Sequence, residues 1–331
     1  MIRLALLGCG QVARAHAQRL RRHRRDVSLA FASRDGARAA RYAAELGGRA
    51  FAGYDDALAS PEVDVAMVLT PPHLHLDLTL RALGAGKHVV VEKPPFGQAR
   101  DFDTVAAAAA AAGRRVFVAE NYYYKPSLVR LRCLLADGVV GDVLFVHVNA
   151  IKRQRTGGWR DDAAVALGGA LYEGGIHWVD FMANLGLTVC AVRGFQPRGL
   201  GSIERSMLVV FEYAEGAVGT LSYSWEVPST ARGLRLSKIY GRAGTITFES
   251  NGLWVLAHGT RTRLYVPGVR DLAGYRRMFD DFVRAWKTDR EPELTLSMAK
   301  RDLEWVEAAY ATAGPRTSPA AGTERAGKEA P

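Results

Sequence analysis

Over the first 120 residues, short and solidly apolar runs alternate with longer segments of helical period. The runs IRLALLG, VSLAFAS, VDVAMVLT, HVVVEK and RVFVAE have no polar face, which predicts parallel strands buried on both sides. Between them, segments such as HLHLDLTLRALGAG and ARDFDTVAAAAAAAG read as covering helices. Together they predict an α/β doubly wound sheet, with a short piece at Arg49 to Phe51 as a further edge strand.

After Tyr122 the rhythm changes. A helix over Pro126 to Leu135, a strand VLFVHVNA and a basic loop IKRQRTGGWRDD lead to a second helix over Gly169 to Leu185. Alternating segments follow (SMLVVFEY, AVGTLSYSW, LSKIYG, TITFES, LWVLAH), broken by EG, GRAG and SNG turns. They predict an α+β domain with a large, mostly antiparallel open sheet, closed by helices at Gly274 to Lys287 and Ser297 to Ala313. The expected division is a first domain at 1–122, a second domain at 123–313 and a disordered tail at 314–331.

Composition narrows the class. A chain of 331 residues with 48% hydrophobic content builds one or two substantial cores. Cys9, Cys133 and Cys190 are too few and too scattered for a disulfide framework or a zinc site, so no metal is expected. The N-terminus lacks a secretory pattern and no run of 18 apolar residues occurs, so a cytoplasmic location and no membrane partner are expected. The net charge of +10 is densest at Arg19 to Arg25, where cations suit the end of the first helix. No nucleic-acid-binding motif stands beside them, so a small-molecule partner is expected.

The first strand runs into Gly8, Cys9, Gly10, Gln11, Val12 and Ala13, a G-x-G-x-x-A pattern opening a helix. Within a βαβ unit the first glycine allows a tight turn and the second lets backbone approach a pyrophosphate at the helix N-terminus. Cofactor choice falls to the end of the second strand, where Ser33 and Arg34 stand in place of an acidic residue. A hydroxyl and a guanidinium suit a 2'-phosphate, so NADP is the expected cofactor. NAD remains the alternative, with Asp35 taking the ribose.

Ligands in such sheets lie beyond the carboxyl ends of the strands. Thr70 and Pro71, with His75 a turn later, leave one strand there; Glu92 and Lys93 leave another in VVVEKPPFG, and Asn121 follows RVFVAE. All are assigned to the cofactor crevice. LLGCGQVARAH, TPPHLHLDLTLRALGAGKHVVVEKP and GGALYEGGIHWVD together resemble the glucose-fructose oxidoreductase, inositol dehydrogenase and rhizopine catabolism (Gfo/Idh/MocA) family, along nearly the whole chain to about Ala313. The resemblance implies a nicotinamide-dependent oxidoreductase with an N-terminal Rossmann domain, and a homo-oligomer, dimer or tetramer, joined through the open sheet.

It also implies roles. Lys93 of the E-K-P element stands near the reacting oxygen, and His177 is the acid or base of a D-x-G-x-H segment whose aspartate is Glu173 here. Glu173 and His177, four apart, share a helix face and the carboxylate reaches the ring; His177 and Asp180 do likewise. Hydride transfer at a secondary carbon needs a proton moved at its oxygen, which histidine does near neutrality while lysine stabilises the developing alkoxide. Tyr123 within NYYYKP, and Trp159 with Arg160 in a basic loop read as a substrate lid, are the expected contacts to a carbohydrate-like substrate. Two other readings stay open: a non-catalytic dinucleotide sensor or scaffold, and a reductase of an imine or non-sugar carbonyl.

Overall fold

The computed structural model describes residues 1–197, 203–228 and 233–314, so from residue 315 onward the expected tail lies outside the described residues. Each apolar run of the N-terminal third is a strand: β1 (Ile2–Leu7), β2 (Val27–Ala32), β3 (Arg49–Phe51), β4 (Val65–Val68), β5 (His88–Glu92) and β6 (Val116–Ala119). They pair in parallel in the order β3-β2-β1-β4-β5-β6. The winding direction therefore reverses between β1 and β4, which opens a crevice above their carboxyl ends.

The second sheet contains, among the described residues, β7 (Val143–Ile151), β8 (Val189–Phe195), β9 (Ser206–Tyr213), β10 (Val218–Ser224), β11 (Leu236–Gly241), β12 (Gly244–Glu249), β13 (Val255–His258) and β14 (Thr262–Tyr265). Their order is β14-β13-β12-β11-β7-β10-β9-β8, antiparallel except for the β7–β10 pair. Both edge strands, β8 and β14, lie outside the segments read from sequence. One face of the sheet is core: Val146, Val148 and Ala150 of β7 are buried, in one cluster with Val179, Phe181 and Met182 of the helix Ile176–Ala183. The other face is open, with Phe145, Leu236 and Leu264 exposed by 50%, 47% and 65%.

The helix expected over Gly169 to Leu185 divides into a π turn, Leu171–Gly175, and the α-helix Ile176–Ala183. Glycines permit this: a Cβ on Gly174 would overlap the Tyr223 hydroxyl, and one on Gly175 would lie 2.8 Å from Leu171 Cδ1. A π turn in a helix often marks a functional site. The late helix Tyr275–Lys287 returns to the first sheet, where Met278, Phe279 and Phe282 share a core with Leu4, Leu6 and Phe117. The two parts of the chain are thus clamped together.

Candidate active site

At the switch point, Gly8 holds φ +116°, and a Cβ there would lie 2.9 Å from the Leu69 carbonyl oxygen. Only glycine fits without strain. By contrast, a Cβ on Gly10 would meet nothing within 4 Å, because open space stands above the start of helix Gln11–Leu20. Gly10, Gln11 and Val12 are exposed, and the first helical turn holds no acidic residue to oppose an anion. Across the crevice the Thr70 Oγ1 is buried without a partner. An open glycine, a clear positive helix end and an orphaned hydroxyl fit a dinucleotide lying over β1 and β4. Burial pushes the Cys9 thiol between them up to about 11, which disfavours the reactive thiolate.

At the end of β2, Ser33 is buried and its Oγ accepts the Asp35 backbone N–H at 3.2 Å. Asp35 caps the helix Gly36–Leu46, accepting from the Arg38 N–H at 3.2 Å, and its other oxygen lies 3.8 Å from Arg38 Nε. Local bonds thus engage Asp35, while Arg34 stays exposed.

The exits of β5 and β6 stand side by side, since Glu92 pairs with Ala119. Lys93 follows Glu92, and its Nζ donates to the Glu173 carbonyl oxygen at 2.8 Å, with the Glu173 carboxylate 3.7 Å away. Arg160 donates to that carboxylate at 3.0 Å. Burial would raise Glu173, but Lys93, Arg160 and His177 outweigh it and hold the carboxyl below its usual range. Glu92 is likewise held low against its burial, chiefly by His16, whose Nε2 lies 3.2 Å away, and then by Lys93 and His177.

His177 enters from the other side. Its Nδ1 lies 2.6 Å from Glu120 Oε1, just beyond β6, and its ring stacks on Tyr122 with centroids 4.4 Å apart. The Glu120 Oε1 also accepts the Tyr122 N–H at 2.9 Å, so one carboxylate fixes both rings of the stack. A carboxylate there can only accept, so it selects the tautomer of the neutral imidazole that carries its proton on Nδ1 and its lone pair on Nε2. Lys93 and His177 both act on the Glu92 and Glu173 carboxylates, so a ring able to move a proton stands in the same neighbourhood as an ammonium.

Family models match both halves of this chain: an oxidoreductase family with NAD-binding Rossmann fold over residues 2–120, and the GFO/IDH/MocA C-terminal domain over residues 128–247. The chain belongs to the Gfo/Idh/MocA oxidoreductase family. An uncharacterized oxidoreductase of Rhizobium meliloti is 33% identical over 155 residues, 45% of each chain. Glucose-6-phosphate 3-dehydrogenase of Bacillus subtilis is 26% identical over 223 residues, 65% of this chain and 63% of that one, so these matches span less than two thirds of either relative. A solved structure of GenD2 from gentamicin A biosynthesis, in complex with NAD, superposes with a TM-score of 0.82 at 27% identity, covering 94% of both chains.

Several residues expected at the Gfo/Idh/MocA site are engaged elsewhere. Asn121 is buried and its amide donates to the Ala273 carbonyl at 2.6 Å, so it shapes the turn rather than facing the crevice. His75 is buried, with its ring nitrogens 2.9 Å from the Pro94 and 2.7 Å from the Thr70 carbonyl oxygens; it ties two strand exits together instead of reaching a cofactor. Glu92 faces His16. Tyr123 packs under Arg132, whose guanidinium carbon stands 4.2 Å from the ring centroid, and its neighbour Tyr122 takes the place beside His177. The ring of His177 binds Glu120 rather than Glu173 or Asp180; Lys93 and Arg160 hold Glu173, and Asp180 bonds Asn184 at 3.0 Å. Trp159 lies in the short turn Gly158–Asp161, with its side chain outside what the structure describes.

Glu120 and Tyr122 were the omissions. Glu120 offered one signal, a carboxylate closing a buried strand beside the exit of β5, as Lys93 does for its own strand.

Proposed function

We propose that the chain is an NADP-preferring dehydrogenase or reductase acting on a secondary alcohol or ketone of a sugar, cyclitol or sugar derivative. The observation that carries this reading is the convergence of Lys93 Nζ and the Glu120-bound His177 beside the glycine crevice. Residues 1–122 hold the dinucleotide and 123–313 the substrate. The cofactor supplies the hydride donor or acceptor when bound.

Gly8 and Gly10, with the N-terminus of helix Gln11–Leu20, would hold the pyrophosphate of a bound dinucleotide, toward which the unpartnered Thr70 Oγ1 would supply a hydrogen bond. Arg34 and Arg38, both exposed beyond the end of β2, would meet a 2'-phosphate. Lys93 donates to the substrate oxygen and stabilises negative charge there, while His177 Nε2 takes the hydroxyl proton in oxidation and returns it in reduction. Glu120 takes the Nδ1 proton as its hydrogen bond, so the neutral ring presents Nε2 to the substrate, and it stabilises the imidazolium that forms; Tyr122 holds the ring in plane. Arg160 and Glu173 position Lys93 from the lid side. A homo-oligomer closed over the apolar outer face of the second sheet completes the reading, because Phe145, Leu236 and Leu264 stand exposed there.

Calorimetric titration of the purified protein with NADPH and NADH, followed by a screen of polyols and keto sugars by nicotinamide absorbance, tests the reading. Tight NADPH binding with turnover that Lys93→Met abolishes is expected. Binding of neither nucleotide overturns it.

A further inference from the structure

Beyond the proton-moving pair, the inner face of the second sheet carries two cations at the end nearest Lys93. On β7 the even positions Val146, Val148 and Ala150 face the core, and Lys152 continues that phase one step past the strand. It is still held in sheet geometry, because its N–H donates to the Ser224 carbonyl at 3.0 Å and Gln154 N–H to the Trp225 carbonyl at 2.9 Å. On neighbouring β11, Ser237 and Ile239 face the core and Arg235 precedes them in phase, buried at 6% exposure. Both side chains therefore lie on the face covered by His177 and the π turn.

Neither Lys152 nor Arg235 makes an ion pair among the described residues; the buried Glu249 carboxylate reaches Arg235 only through the Asn251 amide between them. Lys93 and Arg160 share the Glu173 carboxylate. Arg235 reaches only the amide oxygen of Asn251, its Nε is buried without a partner, and its guanidinium carbon stands 5.6 Å from the Trp178 ring centroid. Lys152 makes no side-chain hydrogen bond or ion pair among the described residues. Burial and then Arg235 push the Lys152 ammonium below its usual value; Glu173 draws it back, and Lys93 adds to the push. Lys93, Arg160 and Lys152 thus share a single nearby carboxylate, Glu173, with Arg235 beside them, and such an excess of cations favours an anionic ligand.

We propose that the substrate is an anionic sugar, bearing phosphate or carboxylate, whose charge is met by Lys152 with Arg235 behind it. This rests on the sugar-oxidoreductase reading of the same site. Lys152 is the solvent-accessible contact. Arg235, locked between Asn251 and Trp178, supplies a fixed positive field at the floor. A neutral sugar leaves both cations uncompensated.

The test is calorimetry on the NADPH-loaded protein at low salt with glucose, glucose 6-phosphate, glucuronic acid and uridine diphosphate glucose as probes. At least one anionic probe is expected to bind roughly tenfold or more tighter than glucose, as a charge-assisted contact gives. Which one does so tells whether phosphate, carboxylate or diphosphate is read. Lys152→Met is expected to lose that preference while keeping its NADPH affinity. Lys238→Met, on the opposite face of β11, removes the same charge and is expected to keep the preference. No anionic probe surpassing glucose, or a Lys152→Met protein with the full preference, overturns the proposal. Anion preference in a protein that binds no nucleotide would instead overturn the enzymatic reading and leave the subsite standing.

Discussion

The Nδ1 of His177 and the Oε1 of Glu120 stand 2.6 Å apart across 57 residues of sequence, and Tyr122 stacks on the same ring. The pair joins the exit of β6 to the helix that covers the second sheet, so the orientation of the imidazole depends on how the two halves of the chain dock. Replacing Glu120 by Gln leaves the ring a hydrogen-bond partner but lets the amide donate, which favours the wrong tautomer. The expected result is a fall in kcat of roughly 10- to 100-fold, part of the 10²–10⁴ that positioned proton transfer supplies. Steady-state kinetics alongside cofactor titration checks it: a changed NADPH affinity would mean that the crevice itself had been disturbed.

Lys93 is held by the Glu173 carbonyl and carboxylate, so its ammonium is already in place before substrate arrives. Lys93→Met removes the charge with little change in volume. Turnover should drop by about 10²-fold or more, in the range of losing one oxyanion-stabilising donor, with cofactor affinity retained. Lys93→Arg should not rescue it, because a planar guanidinium cannot occupy the point between that carbonyl and the substrate oxygen.

Gly10 separates binding from folding. Its φ of −100° suits any residue and a Cβ meets only open space, so Gly10→Val should leave the thermal midpoint close to that of the parent. The added isopropyl group would stand where the pyrophosphate approaches, and affinity for either nucleotide should fall by at least about tenfold. Unchanged nucleotide binding would place the cofactor elsewhere.

At the end of β2, Asp35 caps the following helix while Arg34 is exposed. Arg34→Ala should weaken NADPH by about 10- to 100-fold, the worth of a charged hydrogen bond of roughly 1.5–3 kcal/mol, and leave NADH nearly unchanged. Equal losses for both nucleotides would assign Arg34 to the pyrophosphate or to folding.

Strand existence was legible because β1, β2 and β4 to β6 are buried on both faces and write themselves as solid apolar runs. Edge strands are less visible: Thr262–Tyr265 of β14 has no buried residue, so its sequence carries no alternation to read. The site divided in the same way. Glycines and Lys93 announce themselves by position at strand ends, whereas the partner of His177 is set by docking between distant elements. Tyr122 and Tyr123 are chemically identical neighbours, and only the turn Asn121–Tyr124 decides which faces the histidine. The spacing of Glu173 and His177 suggested a pair, but nothing in it told that Arg160 and Lys93 would claim the carboxylate first.

The start of the π turn is held by a carboxyl group that titrates near neutrality. Glu204 Oε1 accepts the Leu171 N–H at 2.8 Å, its Oε2 accepts the Tyr310 hydroxyl at 2.8 Å, and its backbone carbonyl accepts the Ala170 N–H at 2.8 Å. Burial pushes its pKa up to about 7 against those bonds, with Glu226 adding to the rise. A carboxyl raised in the fold above its unfolded value of 4.5 binds its proton more tightly when folded. Its contribution to stability is therefore full below about pH 4.5, is lost as pH rises toward 7, and stays constant above that. The span corresponds to about 3 kcal/mol. Urea unfolding at pH 5 and pH 8 should show this loss in the parent. Glu204→Gln, which keeps an acceptor for Leu171 N–H and cannot ionise, should show correspondingly less. Identical pH slopes in both proteins would mean that Glu204 is ionised in the fold at little cost, and that the entry to the helix carrying His177 is insensitive to pH.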